Sequence, residues 1–250
     1  MDALGAGVTH VEEGARVAFL SSHAYADYDV ADAAGVVPIP RALDGRACPG
    51  EPFACAVNVL ERAPVQAGDV VAVVGTGFLG SVIVRLAAAR GARVIALSRR
   101  PFALNLARAL GAEVSLSIDA PDAVSAVADL TGGTMADCVI EACGAQRALD
   151  IATALTRTRG RLVVAGYHQD GLRQVDMQSW NWKGLDVINA HERDAGVYAA
   201  GMRRAFGLAA DGTLEMDRFL THTLPIDQLD RAFTLMEERP DGFLKAVVTT

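Results

Sequence analysis

Cysteine is scarce in this chain: 250 residues contain four, Cys48, Cys55, Cys138 and Cys143. They form no CxxC pair and no zinc-ribbon spacing, which excludes a disulfide scaffold and a self-contained zinc module. They are read as thiols, and Cys138, inside an apolar strand pattern, as a small core residue. Long apolar runs are missing as well. No stretch is long enough to cross a bilayer without interruption, and the N-terminus lacks the charged-then-apolar order of a signal peptide, so the expected location is the cytoplasm. Tracts of lysine or arginine are absent too, and 23 basic against 30 acidic residues leave a net charge of −7. That balance excludes a general nucleic-acid binder, because neutralising phosphates requires a basic surface. What remains is 51% hydrophobic and 21% charged. Such a chain can bury a substantial core, as one large domain or two smaller ones.

The stretch Asp69 to Arg100, DVVAVVGTGFLGSVIVRLAAARGARVIALSRR, carries most of what is there. An apolar run at 70–74 predicts a buried parallel strand, and Gly75, Gly77 and Gly80 supply GxGxxG spacing on the turn into a helix. Gly75 allows the tight turn, Gly77 lets backbone approach a pyrophosphate, and Gly80 lets helix and strand pack closely. Thr76, Phe78 and Leu79 complete the expected cofactor turn. The pyrophosphate would sit on the helix N-terminus, where unpaired N–H groups favour negative charge. Glycine-rich turns alone are weak signals; the flanking strand, helix and second strand make this one specific.

The end of the second strand bears on which dinucleotide is held, since an acid there grips the ribose hydroxyls of NAD. No acid is present. Ser98, Arg99 and Arg100 offer a hydroxyl and two guanidinium groups suited to the 2′-phosphate of NADP(H). The competing reading is a solvated basic turn.

Residues 1–45 have a different texture, with short strand-like pieces at 15–20, 26–30 and 36–39 between Gly, Asp and Pro. Helical spacing follows from Glu51 to Ala63, and Pro64 and Gly68 punctuate the junction. Strands are then expected at 70–74, 93–98, 113–116, 136–142, 160–165 and 184–190, with helices at 78–90, 101–110, 121–130 and 145–157. The alternation implies an α/β fold, a Rossmann doubly wound parallel sheet covered on both faces. Helices at 196–210 and 226–238 and a strand at 242–249 close the chain.

At this level of detail the chain resembles the medium-chain dehydrogenase/reductase family, the zinc alcohol and polyol dehydrogenases. The likeness lies in EPFACAVNVLERA, VVGTGFLG, VIEACGA, GRLVVAGY, WKGLDVINAHER and GFLKAVV, and in the earlier GAGVTHVEEGARVAFL and YADYDV. The resemblance implies that 1–50 is a truncated remnant of a β-rich GroES-like domain, 51–66 a bridging helix, 67–192 the dinucleotide-binding domain and 193–250 a segment returning to the first domain. The family's zinc-ligating cysteine, the Gly-His-Glu segment after it and the four-cysteine lobe have no counterpart here. Glu51 matches a carboxylate that polyol-type relatives place at or beside zinc, but one carboxylate cannot replace three protein ligands. No metal is expected unless a second chain completes the site.

The resemblance also implies cofactor contacts from Cys143 and Gly144, from Ala165, Gly166 and Tyr167 at the carboxamide, and from the next strand at Val187 to Asn189. Around these lie the candidates for chemistry. His168 suits a general acid, since its ordinary pKa lies near neutrality and its loop leaves the C-terminal edge of the sheet; it also reads as an exposed loop histidine. His191 is a proton donor or a structural hydrogen-bonding group, and Tyr167 a donor or a packing residue. Glu51 is a general base or a relic of a metal site. Cys55 reads as a small buried residue. Met177, Trp180 and Trp182 line a substrate wall, an interface or the core.

The leading expectation is a zinc-independent, NADP(H)-dependent oxidoreductase acting on a carbonyl, alcohol or activated alkene of a small molecule. The alternatives are a non-redox isomerase, cyclase or lyase on a dehydrogenase scaffold, or an inactive nucleotide-binding remnant. The edge strand within GLDVINA is expected to pair two chains into a homodimer.

Overall fold

The computed structural model describes residues 1–23 and 25–249. Two compact units divide the chain, one formed by Met1–Asn58 with Glu192–Thr250 and the other by Val59–His191. In the first unit, β1 (Val17–Ala18) pairs antiparallel with β2 (Val37–Pro38), and α1 (Gly50–Arg62) begins there and runs into the second. The expected strand at 26–30 does not form. Tyr28 and Val30 are almost fully exposed, no strand pairs with the segment, and the Asp29 carboxylate accepts the Val30 N–H and the Ser21 hydroxyl instead.

The second unit alternates strand and helix as the apolar pattern predicts. Its elements are β3 (Val70–Val74), α2 (Phe78–Ala89), β4 (Arg93–Ser98), α3 (Pro101–Ala109), β5 (Val114–Ser117), α4 (Ala123–Leu130), β6 (Ala136–Glu141), α5 (Gln146–Leu155), β7 (Thr156–Val164), α6 (Met177–Lys183) and β8 (Asp186–Asn189). The six strands form one parallel sheet in the order β5-β4-β3-β6-β7-β8. Strand order therefore reverses between β3 and β6, the arrangement that opens a ligand crevice at the carboxyl ends of those strands. Side chains of β3 alternate between faces: Ala72 and Val74 join Val127, Leu149, Ala152 and Leu155 in one buried cluster. Val73 instead lies beneath Gly80 of α2. Covering both faces of a parallel sheet in this way leaves each core aliphatic worth about 1.5–3 kcal/mol.

Two features of this unit depart from the sequence expectation. Helix 145–157 and strand 160–165 were expected with a gap, yet α5 passes directly into β7 at Thr156. The Thr156 hydroxyl donates to the Ala152 carbonyl (2.7 Å). The Lys183 ammonium donates to the carbonyls of Thr153, Ala154 and Thr156 (3.0, 3.1 and 2.9 Å). The helix end is thus satisfied without a loop. The second departure is α6 itself, a short helix with no strong apolar period. Asp176 caps its first turn through the Ser179 N–H (2.9 Å), and Gly184 ends it in the left-handed region at φ 58°.

After β8 the chain re-enters the first unit as α7 (Ala195–Ala210), β9 (His222–Pro225), α8 (Leu229–Glu238) and β10 (Ala246–Thr249). The short strand β9, not expected, pairs in parallel with β10. No helix among the described residues is long and apolar enough to cross a membrane.

Replacing Lys183 with Met should take the ammonium donor from the carbonyls of Ala154 and Thr156, and from that of Thr153, which keeps the Thr156 N–H, and cost about 1–3 kcal/mol. Urea unfolding of Lys183→Met should show a lower midpoint with an unchanged slope. An unchanged midpoint would show that water serves those carbonyls equally well.

Candidate functional site

The glycine turn follows β3 directly. Gly75 adopts φ 98°, a conformation that side chains resist, and its N–H donates to the Leu97 carbonyl (2.8 Å). A Cβ on Gly80 would stand 1.9 Å from the Gly75 carbonyl oxygen. Gly77 is the opposite case: a Cβ there would meet nothing within 4 Å, so the turn presents bare backbone outward. Gly77 is also the N-cap of α2 and supplies no side chain to its first N–H groups. Beneath it, buried Thr76 donates to the Ala103 carbonyl (3.4 Å), and Ser81 donates to the Thr76 carbonyl (3.1 Å). Phe78 and Leu79 are half-buried at the start of the helix. An uncapped helix N-terminus behind a surface free of side chains fits a pyrophosphate.

At the end of β4, Ser98 is buried, Arg99 exposed and Arg100 half-buried as the N-cap of α3. Arg99 is near enough to Cys143 for its charge to favour the thiolate there. The basic end of β4 and the loop after β6 thus flank one crevice. Burial outweighs that effect, with Glu141 adding to it, and the Cys143 thiol is pushed up to about 11. Its sulfur fills the space a Gly75 side chain would need, since a Cβ on Gly75 would lie 2.3 Å from it.

Glu141, the last residue of β6, has no exposed surface. One carboxylate oxygen accepts the N–H groups of Cys143 (2.7 Å) and Gly144 (2.8 Å), and the other meets His168 Nε2 at 3.0 Å. Arg173 Nε donates to His168 Nδ1 (2.8 Å). That contact assigns the tautomer: Nδ1 carries the lone pair and Nε2–H donates to Glu141. Both ring nitrogens are therefore engaged. The Glu141 carbonyl accepts the N–H groups of Ala165 and Gly166 (2.8 Å each), so the loops after β6 and β7 are tied to one residue.

Tyr167, two-thirds exposed at 66%, stacks on exposed His191 with ring centroids 5.6 Å apart and planes at 29°. Neither the Tyr167 hydroxyl nor the His191 ring has a hydrogen-bond partner among the described residues. Asn189 is exposed at the end of β8, and Val187 packs against the core cluster. Trp180 also belongs to that cluster and donates to Thr153 Oγ1 (3.0 Å), whereas Met177 and Trp182 are exposed.

In the first unit, Glu51 and Cys55 lie one turn apart on α1, and the thiol donates to the carboxylate (3.1 Å). Burial, reinforced by the Glu51 charge, raises Cys55 to about 12. Tyr198 of α7 adjoins them, also raised to about 12 by burial, and its hydroxyl donates to the Glu192 carbonyl (3.1 Å). Among the described residues no group of three or more His, Cys, Asp or Glu side chains is placed to hold a metal. Glu51 and Cys55 supply two donors where zinc takes at least three from protein, so the residues present do not fit that ion.

Sequence reading did not single out Glu141, Arg173 or Tyr198. Glu141 stood inside the VIEACGA resemblance, and an acid ending an apolar strand was its available signal; the other two carried none.

Residues 79–205 match the zinc-binding dehydrogenase family. The erythritol/L-threitol dehydrogenase of Mycolicibacterium smegmatis is 33% identical over 187 residues, covering 74% of this chain and 50% of that protein. The alcohol dehydrogenase TADH from Thermus sp. ATN1 superposes with a TM-score of 0.73 at 25% identity, over 86% of this chain and 63% of that one. A Sinorhizobium meliloti 1021 protein assigned to the zinc-binding dehydrogenases, solved bound to NADP, gives a TM-score of 0.73 at 27% identity, over 85% and 61%. The chain spans between half and three-fifths of the length of the first curated relatives it matches.

Cys143 is exposed, so the raised pKa of its thiol has a measurable consequence. At pH 8 a thiol titrating near 11 is about one part in a thousand thiolate, against roughly a quarter for an ordinary cysteine, so alkylation should be roughly two- to threehundredfold slower. The rate should climb about tenfold per pH unit until the thiol itself titrates. Peptide mass spectrometry of iodoacetamide labelling would read this at Cys143; labelling at the rate of an ordinary cysteine would contradict the raised thiol.

Proposed function

The chain belongs to the zinc-binding dehydrogenase family, the zinc-type medium-chain dehydrogenases, and on that premise we propose that it is an NADP(H)-dependent oxidoreductase working without zinc. Its substrate is a carbonyl, alcohol or activated alkene of a small molecule. The observation that carries this reading is the open Gly75–Gly80 turn facing an uncapped helix N-terminus, with the exposed guanidinium of Arg99 at the end of β4. A 2′-phosphate adds two charges that a guanidinium pairs and a carboxylate would repel. The bound nicotinamide supplies or accepts the hydride.

The proton must come from the chain. His168 is held at both nitrogens and has none free to give, which shifts that role to Tyr167. Its side chain is exposed at the carboxyl end of the sheet with the His191 ring stacked against it, and the phenolate left when it gives its proton to the substrate oxygen is reprotonated from solvent. Glu51 accepts a hydrogen bond from the Cys55 thiol through one carboxylate oxygen and is otherwise exposed on α1. Free thiols at all four cysteines suit a reducing cytoplasm.

Two chains pair through β8. That strand ends the sheet, so one of its edges is without a strand partner among the described residues, and Trp182 is exposed at 89% just before it. An exposed strand edge is a template for pairing, and isologous pairing closes it. Analytical ultracentrifugation should return the mass of two chains at micromolar concentration; a monodisperse monomer would refute the pairing.

Fluorescence titration should show NADPH binding at least tenfold tighter than NADH, with Arg99→Ala weakening NADPH by about 1–3 kcal/mol and leaving NADH unaffected. With the cofactor bound, Tyr167→Phe should slow nicotinamide oxidation by roughly a hundredfold or more without weakening NADPH. Absence of binding by either nucleotide would overturn the oxidoreductase reading. Substrate conversion with unchanged nicotinamide absorbance would move it to non-redox chemistry.

A further inference from the structure

The loop from Gly166 to Val175, which follows β7, has almost no core of its own. Tyr167 is exposed at 66%, Leu172 completely and Val175 at 41%. Polar contacts hold it instead, and Arg173 makes most of them. Its Nε donates to His168 Nδ1 (2.8 Å), and its Nη2 donates to the Gly144 carbonyl (2.8 Å) and pairs with Asp170. Its Nη1 reaches the carbonyls of Gly171 and Leu172 (3.4 Å each). The Gly144 contact crosses from the β7 loop to the β6 loop, and the His168 contact continues through Nε2–H to the buried Glu141 carboxylate. Glu141 in turn holds the Cys143 and Gly144 N–H groups, so Arg173, His168, Glu141 and Gly144 close a ring of hydrogen bonds around the ends of β6 and β7. A side chain at Gly166 would stand 2.2 Å from the Gly144 nitrogen, so the two loops have no slack between them.

A dinucleotide on a doubly wound sheet crosses the crevice at the reversal of strand order, one half on each side. Arg99 at the end of β4 assigns the adenosine half to the β3–β4 side. The other half then lies over the ends of β6 and β7, where the ring of hydrogen bonds sits. We propose that Arg173, acting through His168 and Glu141, is a positioning residue that sets the backbone of these two loops for the nicotinamide half of the cofactor. This rests on the oxidoreductase reading above. Arg173 holds the loops in their binding geometry before the cofactor arrives, so ordering them costs nothing at the moment of binding. Only the nicotinamide half benefits, because the glycine turn and Arg99 stand outside the ring.

The test compares NADPH with adenosine 2′,5′-bisphosphate, which carries the 2′-phosphate and lacks the nicotinamide half, by calorimetry on the wild-type chain, Arg173→Ala and Arg173→Lys. Lysine keeps the charge beside Asp170 and cannot serve His168 and Gly144 together. Both variants should bind NADPH at least tenfold more weakly and the bisphosphate within about twofold of wild type, and fluorescence of bound NADPH should shift toward that of free NADPH. Equal NADPH binding in all three proteins would overturn the proposal. So would a parallel loss of both ligands, or failure of both variants to fold, since each would make Arg173 a residue of the fold alone. If the wild-type chain binds neither ligand, the oxidoreductase reading itself has failed, and that result is visible without either variant.

Discussion

Glu141 carries a carboxylate with no exposed surface, and a charge in that position is tolerable only when its oxygens are fully partnered. Two backbone N–H groups and one imidazole N–H meet that demand, and the imidazole is oriented in its turn by Arg173. The cost of leaving any of these unmade is what holds the loops after β6 and β7 in one arrangement. Gly144 and Gly166 are consequences of the same constraint, because the backbones approach too closely for side chains. A buried acid at a strand end thus determines the surface that the crevice presents.

The sheet supplies the other half of the site by a different route. Reversal of strand order between β3 and β6 opens a crevice at the carboxyl ends of those strands, and the Gly75–Gly80 turn lines its near side with bare backbone. Cys143 joins the two halves sterically: its sulfur occupies the position that a side chain on Gly75 would claim. Cys143 is exposed, yet its thiol donates to the Val74 carbonyl (3.5 Å) and is pushed up to about 11, which favours the thiol form at neutral pH. In the first unit the Glu51 carboxylate, which resembles a zinc-side residue, accepts a hydrogen bond from the Cys55 thiol.

Much of this was legible before the structure. The apolar runs of β3, β4 and β6 and the glycine spacing identify a doubly wound nucleotide unit, because both depend on local periodicity and on backbone conformations that only glycine adopts freely. The strand edges were less legible. Residues 26–30 alternate as a strand would, but no strand among the described residues pairs with them, whereas β9 forms with little apolar pattern because β10 lies beside it. Likewise α6 carries a capping Asp and a terminal Gly, signals that short helices share with turns.

For the site, the sequence by itself determined the glycine turn, the basic end of β4 and the family to which the chain belongs, since these lie in contiguous segments. Only the tertiary structure decided what His168 is bonded to. A histidine in a polar loop near neutral pH reads as an acid from its type alone, but Glu141 and Arg173 occupy its two nitrogens, and Glu141 lies 27 residues before it in the chain. Protonation state and availability are properties of a residue's partners, and partners separated in sequence are brought together only by the pairing of β6 with β7.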